Sequence, residues 1–156
     1  MLGFEIYKNM LSNTCKYAIR ALIYLANFSQ DNKKIGIKKI SDDLKIPSPF
    51  LGKILQSMAR EKILASTKGP NGGFSLGRKA EEITLYDIVV HVDGEKYFNN
   101  CIIRLESCAC FTEEISTCPV HRRFSSIRTD LIRFYQDTSL ADIIDDFEIS
   151  GEVIHF

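Results

Sequence analysis

A chain of 156 residues, 45% apolar and 26% charged, has the makeup of one globular domain with an appendage and can bury a core without disulfide staples. No apolar run approaches the roughly 18 residues of a membrane-spanning helix and no signal peptide is visible, so a cytoplasmic protein that meets no membrane is expected. Net charge is zero, but residues 1–79 hold 14 Lys and Arg against 5 Asp and Glu while residues 80–156 hold 6 against 15, a split that suits the first half alone to a polyanion.

Residues 1–9 show little pattern, and Met10-Leu11-Ser12 resembles a second start, so a poorly ordered leader is expected there. Ser12 or Asn13 can cap a helix running to about Phe28, with Cys15, Ala18, Leu22, Leu25 and Ala26 on one apolar face. Cys15 therefore reads as a core thiol. After a polar loop, Ile37, Ile40 and Leu44 mark a short bracing helix. Pro47-Ser48-Pro49 ends it and starts the next, with Ser48 as N-cap and Pro49 at the first helical position.

In that next helix, residues 48–60, Leu51, Ile54, Leu55 and Met58 form one apolar stripe. The other face carries Ser48, Gly52, Lys53, Gln56, Ser57 and Arg60, short or basic hydrogen-bonding groups without an acid, the kind of face that can lie in a DNA major groove. Two brief apolar runs, 63–67 and 74–76, flank Lys68-Gly69-Pro70-Asn71-Gly72-Gly73, a hairpin tip that can bring backbone and a lysine to phosphates. The whole predicts a winged helix-turn-helix: a mainly α fold with a small β wing.

Thr84-x-x-Asp87 resembles a capping box opening a helix that ends near His91, a histidine read as a packing or surface residue. Residues 94–117 have no clear period and hold three of the five cysteines. From Val120 onward, Val120, Phe124, Ile127, Leu131 and Phe134 recur at spacings of 4, 3, 4 and 3, a seam on a helix of about 17 residues. It reads as a long C-terminal dimerisation helix that makes the chain a homodimer; the alternative is that it folds back on its own domain. Ser139-x-x-Asp142 restarts a short helix to Phe147. The expected divisions are a winged domain over 10–92, a cysteine-bearing loop over 93–119 and the dimerisation and last helices over 120–147.

Cys101, Cys108, Cys110 and Cys118 fall within 18 residues, with His121 just beyond. Thiolates with a neighbouring histidine are ligands for iron–sulfur clusters. Zinc is an alternative, although only Cys108-x-Cys110 approaches the close pairs of structural zinc sites; a reversible thiol switch is another, and cysteines that bind nothing a third. An electron carrier or scaffold would explain the cysteines and charge but not the helix and wing. No nucleophile–base pair, Walker loop or Rossmann glycine pattern supports an enzyme.

The stretches LSNTCKYAIRALIYLA and IPSPFLGKILQSMAREKILASTKGPNGGFSLGR, followed by C-x6-C and CPxH, resemble the winged-helix regulators that include IscR, NsrR and CymR. The resemblance implies a homodimer on a double-stranded palindromic operator. It would direct Ser48, Pro49, Phe50, Gly52 and Lys53 to base edges, Gln56 and Ser57 to phosphates, and Lys68, Gly69, Pro70 and Asn71 to the minor groove. Gly52 stands where some relatives place an acid that reads cytosine, so their operator sequences do not transfer; a mid-helix glycine costs about 1 kcal/mol, tolerable if it lets backbone approach DNA. The resemblance further implies a cluster, expected as [2Fe–2S], on Cys101, Cys108, Cys118 and His121. Cys110 is an alternative ligand, since nine residues separate Cys108 from Cys118 where five are usual. Lys16 stands where other relatives take a carboxylate from the partner's first helix, which favours His121.

Overall fold

The structure, a computed structural model, describes residues 11–28, 33–100 and 120–150. Helix α1 (Asn13–Phe28) is the spine. Ser12 caps it, its Oγ accepting from Cys15 N–H at 3.0 Å, while Ser12 N–H donates to Asp93 Oδ2 at 3.0 Å. The buried face holds Cys15, Ala18, Leu22 and Leu25 as the spacing predicts, with Ala21, Ile23 and Tyr24 added; Ala26 is only half-buried. Upon α1 pack α2 (Ile37–Leu44), α3 (Ser48–Arg60), α4 (Leu85–Asp93), α7 (Leu140–Ser150) and strand β2 (Gly73–Leu76).

Helix α2 ends at Lys45, whose left-handed φ of 54° turns the chain into Ile46-Pro47. Helix α3 begins one residue earlier than its prolines suggest. Pro47 is the N-cap, and its carbonyl accepts from both Phe50 and Leu51 N–H at 3.0 Å. Pro49 still lies in the first turn, where a missing N–H costs nothing.

Strand β1 (Leu64–Thr67) pairs antiparallel with β2, Leu64 opposite Leu76 and Thr67 opposite Gly73. Gly69 takes φ +111°, which favours glycine, and Gly72 N–H closes the tip onto Gly69 O at 2.9 Å. A two-way exchange between Ile35 and Phe74, both bonds 2.9 Å, pins the wing to the start of α2. A side chain at Gly73 would put its Cβ 2.4 Å from Ile35 O, so only glycine lets the strands meet there.

The capping box at Thr84 forms, Asp87 N–H donating to Thr84 Oγ1 at 3.2 Å and Thr84 N–H to Asp87 Oδ2 at 3.4 Å. A short helix α5 (Lys96–Asn99), which periodicity does not reveal, follows α4. Helix α6 (His121–Asp137) has the expected 17 residues. Ser139 and Asp142 then open α7, which runs to Ser150, past the expected Phe147. Leu85 N–H donates to Thr138 O and Leu140 N–H to Ile83 O, each at 2.9 Å, so the α6–α7 junction is stitched to the start of α4. Leu140 is fully buried in the same core as Leu22, Leu55 and Ile88.

The fold-back reading of α6 therefore holds for one flank of the helix. Tyr135 and Arg128 are buried, and Leu131 and Ile132 pack against the chain's own core. Ile127 and Phe134, seven residues apart, stay 58% and 56% exposed. Leu131 thus leaves the expected seam, because the helix turns that flank inward.

Cys15 is sealed in the core, and burial first and the Asp93 carboxylate second push its thiol up from 9.0 to about 12. Its folded pKa lies above its unfolded one, so its contribution to stability is complete below pH 9 and lost as pH rises through 12. Urea unfolding at pH 8 and pH 10.5 should show this loss in the parent and a smaller one in Cys15→Ala. Alkylation by iodoacetamide at pH 8, located by peptide mapping, should reach Cys15 only after denaturation.

Candidate nucleic-acid interface

Burial of Leu51, Ile54, Leu55 and Met58 sets the rotation of α3 about its axis. Helical spacing then places Pro49, Lys53, Gln56 and Arg60 on one outward stripe, and all four are exposed. Phe50, 39% exposed beside them, rests edge-on against Tyr17 of α1, with ring centroids 5.8 Å apart at 86°. Neither α3 nor the wing tip contains an acid. Lys68, Gly69, Pro70 and Asn71 are all exposed at that tip.

Three of the expected contact residues are placed differently. Gly52 is buried, and a Cβ there would lie 3.0 Å from Ile37 Cδ1. Its missing side chain serves the close crossing of α2 and α3 and not an approach to a ligand, which corrects the expectation that it faces DNA. Ser57 is half-buried and shares a 2.8 Å hydrogen bond with His91 Nε2. Ser48 is half-buried in the first turn. The pair Ser57–His91 stands in a cleft of about 220 Å³ between α1, α3 and α4, whose rim includes Lys53 and Phe50. His91 is thus a partly buried hydrogen-bonding residue, as its apolar neighbours imply.

Sequence reasoning missed Tyr17, which supports Phe50; an aromatic two residues off the buried stripe of α1 was its only signal. Lys39 in α2 adds little free charge, since its Nζ lies 2.9 Å from Asp43. Hydrogen bonds from Tyr24 first and Lys39 second hold the Asp43 carboxyl below its usual value.

The candidate ligands Cys101, Cys108, Cys110 and Cys118 lie outside the described residues, and His121 is the first residue of α6. Among the described residues no three His, Cys, Asp or Glu side chains gather as a metal site. The chain on either side of residues 101–119 is described, and both ends meet α6. Val120 is its N-cap, and Asn100 O accepts from Arg128 Nη2 at 3.0 Å. At 1.5 Å per residue those points lie about 12 Å apart along one helix.

A family model described as Rrf2, iron-dependent transcriptional regulator, matches residues 11–146. A protein of Aquifex aeolicus (strain VF5) described as an HTH-type transcriptional regulator is 32% identical over 136 residues, 86% of this chain and 91% of that one. Among solved structures, CymR, the global cysteine regulator of B. subtilis, superposes with a TM-score of 0.69 at 20% identity, covering 86% of this chain and 95% of its own. IscR of T. potens superposes with a TM-score of 0.68 at 18% identity, covering 92% and 91%. These structural likenesses extend the fold across the winged module and the helices behind it. No helix among the described residues is long and apolar enough to cross a membrane.

An exposed lysine at the wing tip that meets phosphate acts on every duplex alike. Lys68→Ala should weaken binding to all sequences and reduce the slope of log K against log salt by about one unit. Fluorescence anisotropy across a salt series measures it, and an unchanged slope would remove Lys68 from the interface.

Proposed function

The chain belongs to the Rrf2 family of transcriptional regulators, and from that premise we propose that it is a homodimeric repressor whose affinity for a palindromic operator is set by a [2Fe–2S] cluster. The observation that carries the DNA half is the acid-free outward stripe Pro49, Lys53, Gln56 and Arg60 beside an exposed wing tip. Pro49, Phe50 and Lys53 lie at the N-terminal end of α3, the end that meets base edges when such a helix enters a major groove; Gln56 and Arg60 reach backbone further along. Lys68, Gly69, Pro70 and Asn71 meet the neighbouring minor groove. A second copy supplies the other half-site, about 34 Å away. Ile127 and Phe134 are the apolar groups that α6 offers that copy.

The donor set fits a cluster. Cys15 is excluded as a ligand by its burial and its raised pKa. The resemblance to IscR names Cys101, Cys108, Cys118 and His121 as the holders, with Cys110 in reserve. When bound, an iron–sulfur cluster supplies a one-electron couple and a sensitivity to iron supply. The residues that hold it would tie a segment anchored on α6 to the winged body, so that the spacing of two recognition helices depends on occupancy. The family description, iron-dependent regulator, supports this reading. The close spacing of Cys108 and Cys110 favours a second one, a thiol switch without metal.

Anaerobic purification with visible spectroscopy and iron and sulfide analysis separates the two. Equimolar iron and sulfide, with loss of visible absorbance in Cys101→Ala, is expected; metal-free protein with a reversible intramolecular disulfide would establish the switch. Loaded and apo protein should then differ at least tenfold in affinity for duplexes selected from a random library at fixed salt, and equal affinities would reject control by the cluster. Phe134→Glu, altering an exposed side chain, should leave the fold intact but yield a monomer by sedimentation. Its affinity for two-half-site DNA should fall to that for a single half-site.

A further inference from the structure

The cleft between α1, α3 and α4 encloses about 220 Å³. An apolar cavity of about 150 Å³ takes up benzene, so a single ring with one small substituent fits this one. Phe50, Ile54 and Val92 give it an apolar wall, and the Phe50 ring is packed edge-on against Tyr17 with centroids 5.8 Å apart. Thr14, Lys53, Ser57 and His91 supply the polar part, and no acid is among the lining residues. An apolar body with a few converging polar groups is the makeup of a small-molecule site.

The polar groups favour one sign of ligand. Lys53 brings an ammonium to the rim, and Thr14 lies in the first turn of α1, the helix end that attracts anions. Ser57 and His91 bridge α3 to α4 through their 2.8 Å hydrogen bond. When the ring donates from Nε2, the serine oxygen accepts and its own proton is free to donate. The next acid along α4, Asp93, is bound twice by Ser12 and does not line the cleft. A phosphate would satisfy the cation and the hydroxyls but leave Phe50, Ile54 and Val92 without an occupant. A carboxylate on an apolar body satisfies both parts.

We propose that this cleft binds a compact organic acid, a ring or branched chain bearing one carboxylate. The carboxylate meets Lys53 and the Ser57–His91 pair, and the apolar body lies against Phe50, Ile54 and Val92. Phe50 and Lys53 also belong to the face that the DNA reading turns toward base edges, so an occupied cleft withdraws them from a duplex. Ligand binding concerns the DNA-free protein alone, whereas its effect on duplex affinity rests on that reading.

The test titrates the full chain with sodium benzoate against sodium chloride of equal ionic strength, following amide shifts by NMR. Saturable shifts at Thr14, at residues 53–57 and at His91 and Val92 are expected, with a Kd on the order of 1 mM for so small a ligand. Benzyl alcohol, the uncharged counterpart, should bind about fivefold more weakly, and Lys53→Met should weaken benzoate by about the same factor, the upper end for an exposed ion pair. His91→Phe, which fills the cleft, should abolish saturation. Lys53 is exposed, so its variant decides the site should His91→Phe fail to fold. Absence of saturable shifts at about 10 mM benzoate, equal binding of the alcohol, or the same shifts from inorganic phosphate would overturn the organic-acid site. In fluorescence anisotropy with selected duplexes, about 10 mM benzoate should lower affinity roughly tenfold, the factor for mutually exclusive binding at that Kd. An unchanged duplex affinity would overturn the competition. A chain that binds no duplex would reject the DNA reading, while the shift titration still judged the cleft.

Discussion

Everything on the outer face of this molecule follows from one burial. Leu51, Leu55 and Met58 are fully enclosed between α1 and the wing, and a helix fixed along one stripe has no freedom left on the other. Each large-to-small change in such a stripe typically costs 2–5 kcal/mol, so the rotation of α3 is held by several times the energy that any exposed contact can exert. Lys53, Gln56 and Arg60 need no hydrogen bonds of their own to point outward together. The wing is located by the same economy, through two backbone bonds between Ile35 and Phe74 and a glycine that permits them.

Most of this was readable in the residues. The stripes of α1 and α3, the capping boxes at Thr84 and Ser139, the hairpin glycines and the core position of Cys15 are local patterns with local causes, and they form where expected. What escaped the sequence was decided by neighbours. Gly52 looked like part of an open face because it stands four residues from both Ser48 and Gln56; the crossing with Ile37 is a tertiary fact. Ser57 is expected near phosphates, but His91, 34 positions away, shares a hydrogen bond with it. Helix α5 is too short for any period to show. Leu131 fell in an apparent seam because a period of 3.5 cannot tell a face left exposed from one turned onto the chain's own core.

Helix α4 connects the parts that a regulator must coordinate. Its last residue, Asp93, is bound to Ser12 at the head of α1, and His91 reaches α3 through Ser57. Its first turn is stitched to the α6–α7 junction, and its flank packs on α6. A displacement of α6 therefore has a short route to α3, through α4 and the Ser57–His91 hydrogen bond. The exposed acids of α7, Asp142, Asp145 and Asp146, belong to the negative half of the chain, away from the acid-free stripe.

The sealed state of Cys15 has a consequence for signalling chemistry. Peroxide, nitric oxide and electrophiles act on thiolates, and a thiol with a pKa near 12 presents almost none at neutral pH. The other four cysteines all lie between positions 101 and 118. Thiol adducts on the folded protein consequently have a single address, and a thiol-specific label on the intact chain reports on that stretch without background from Cys15.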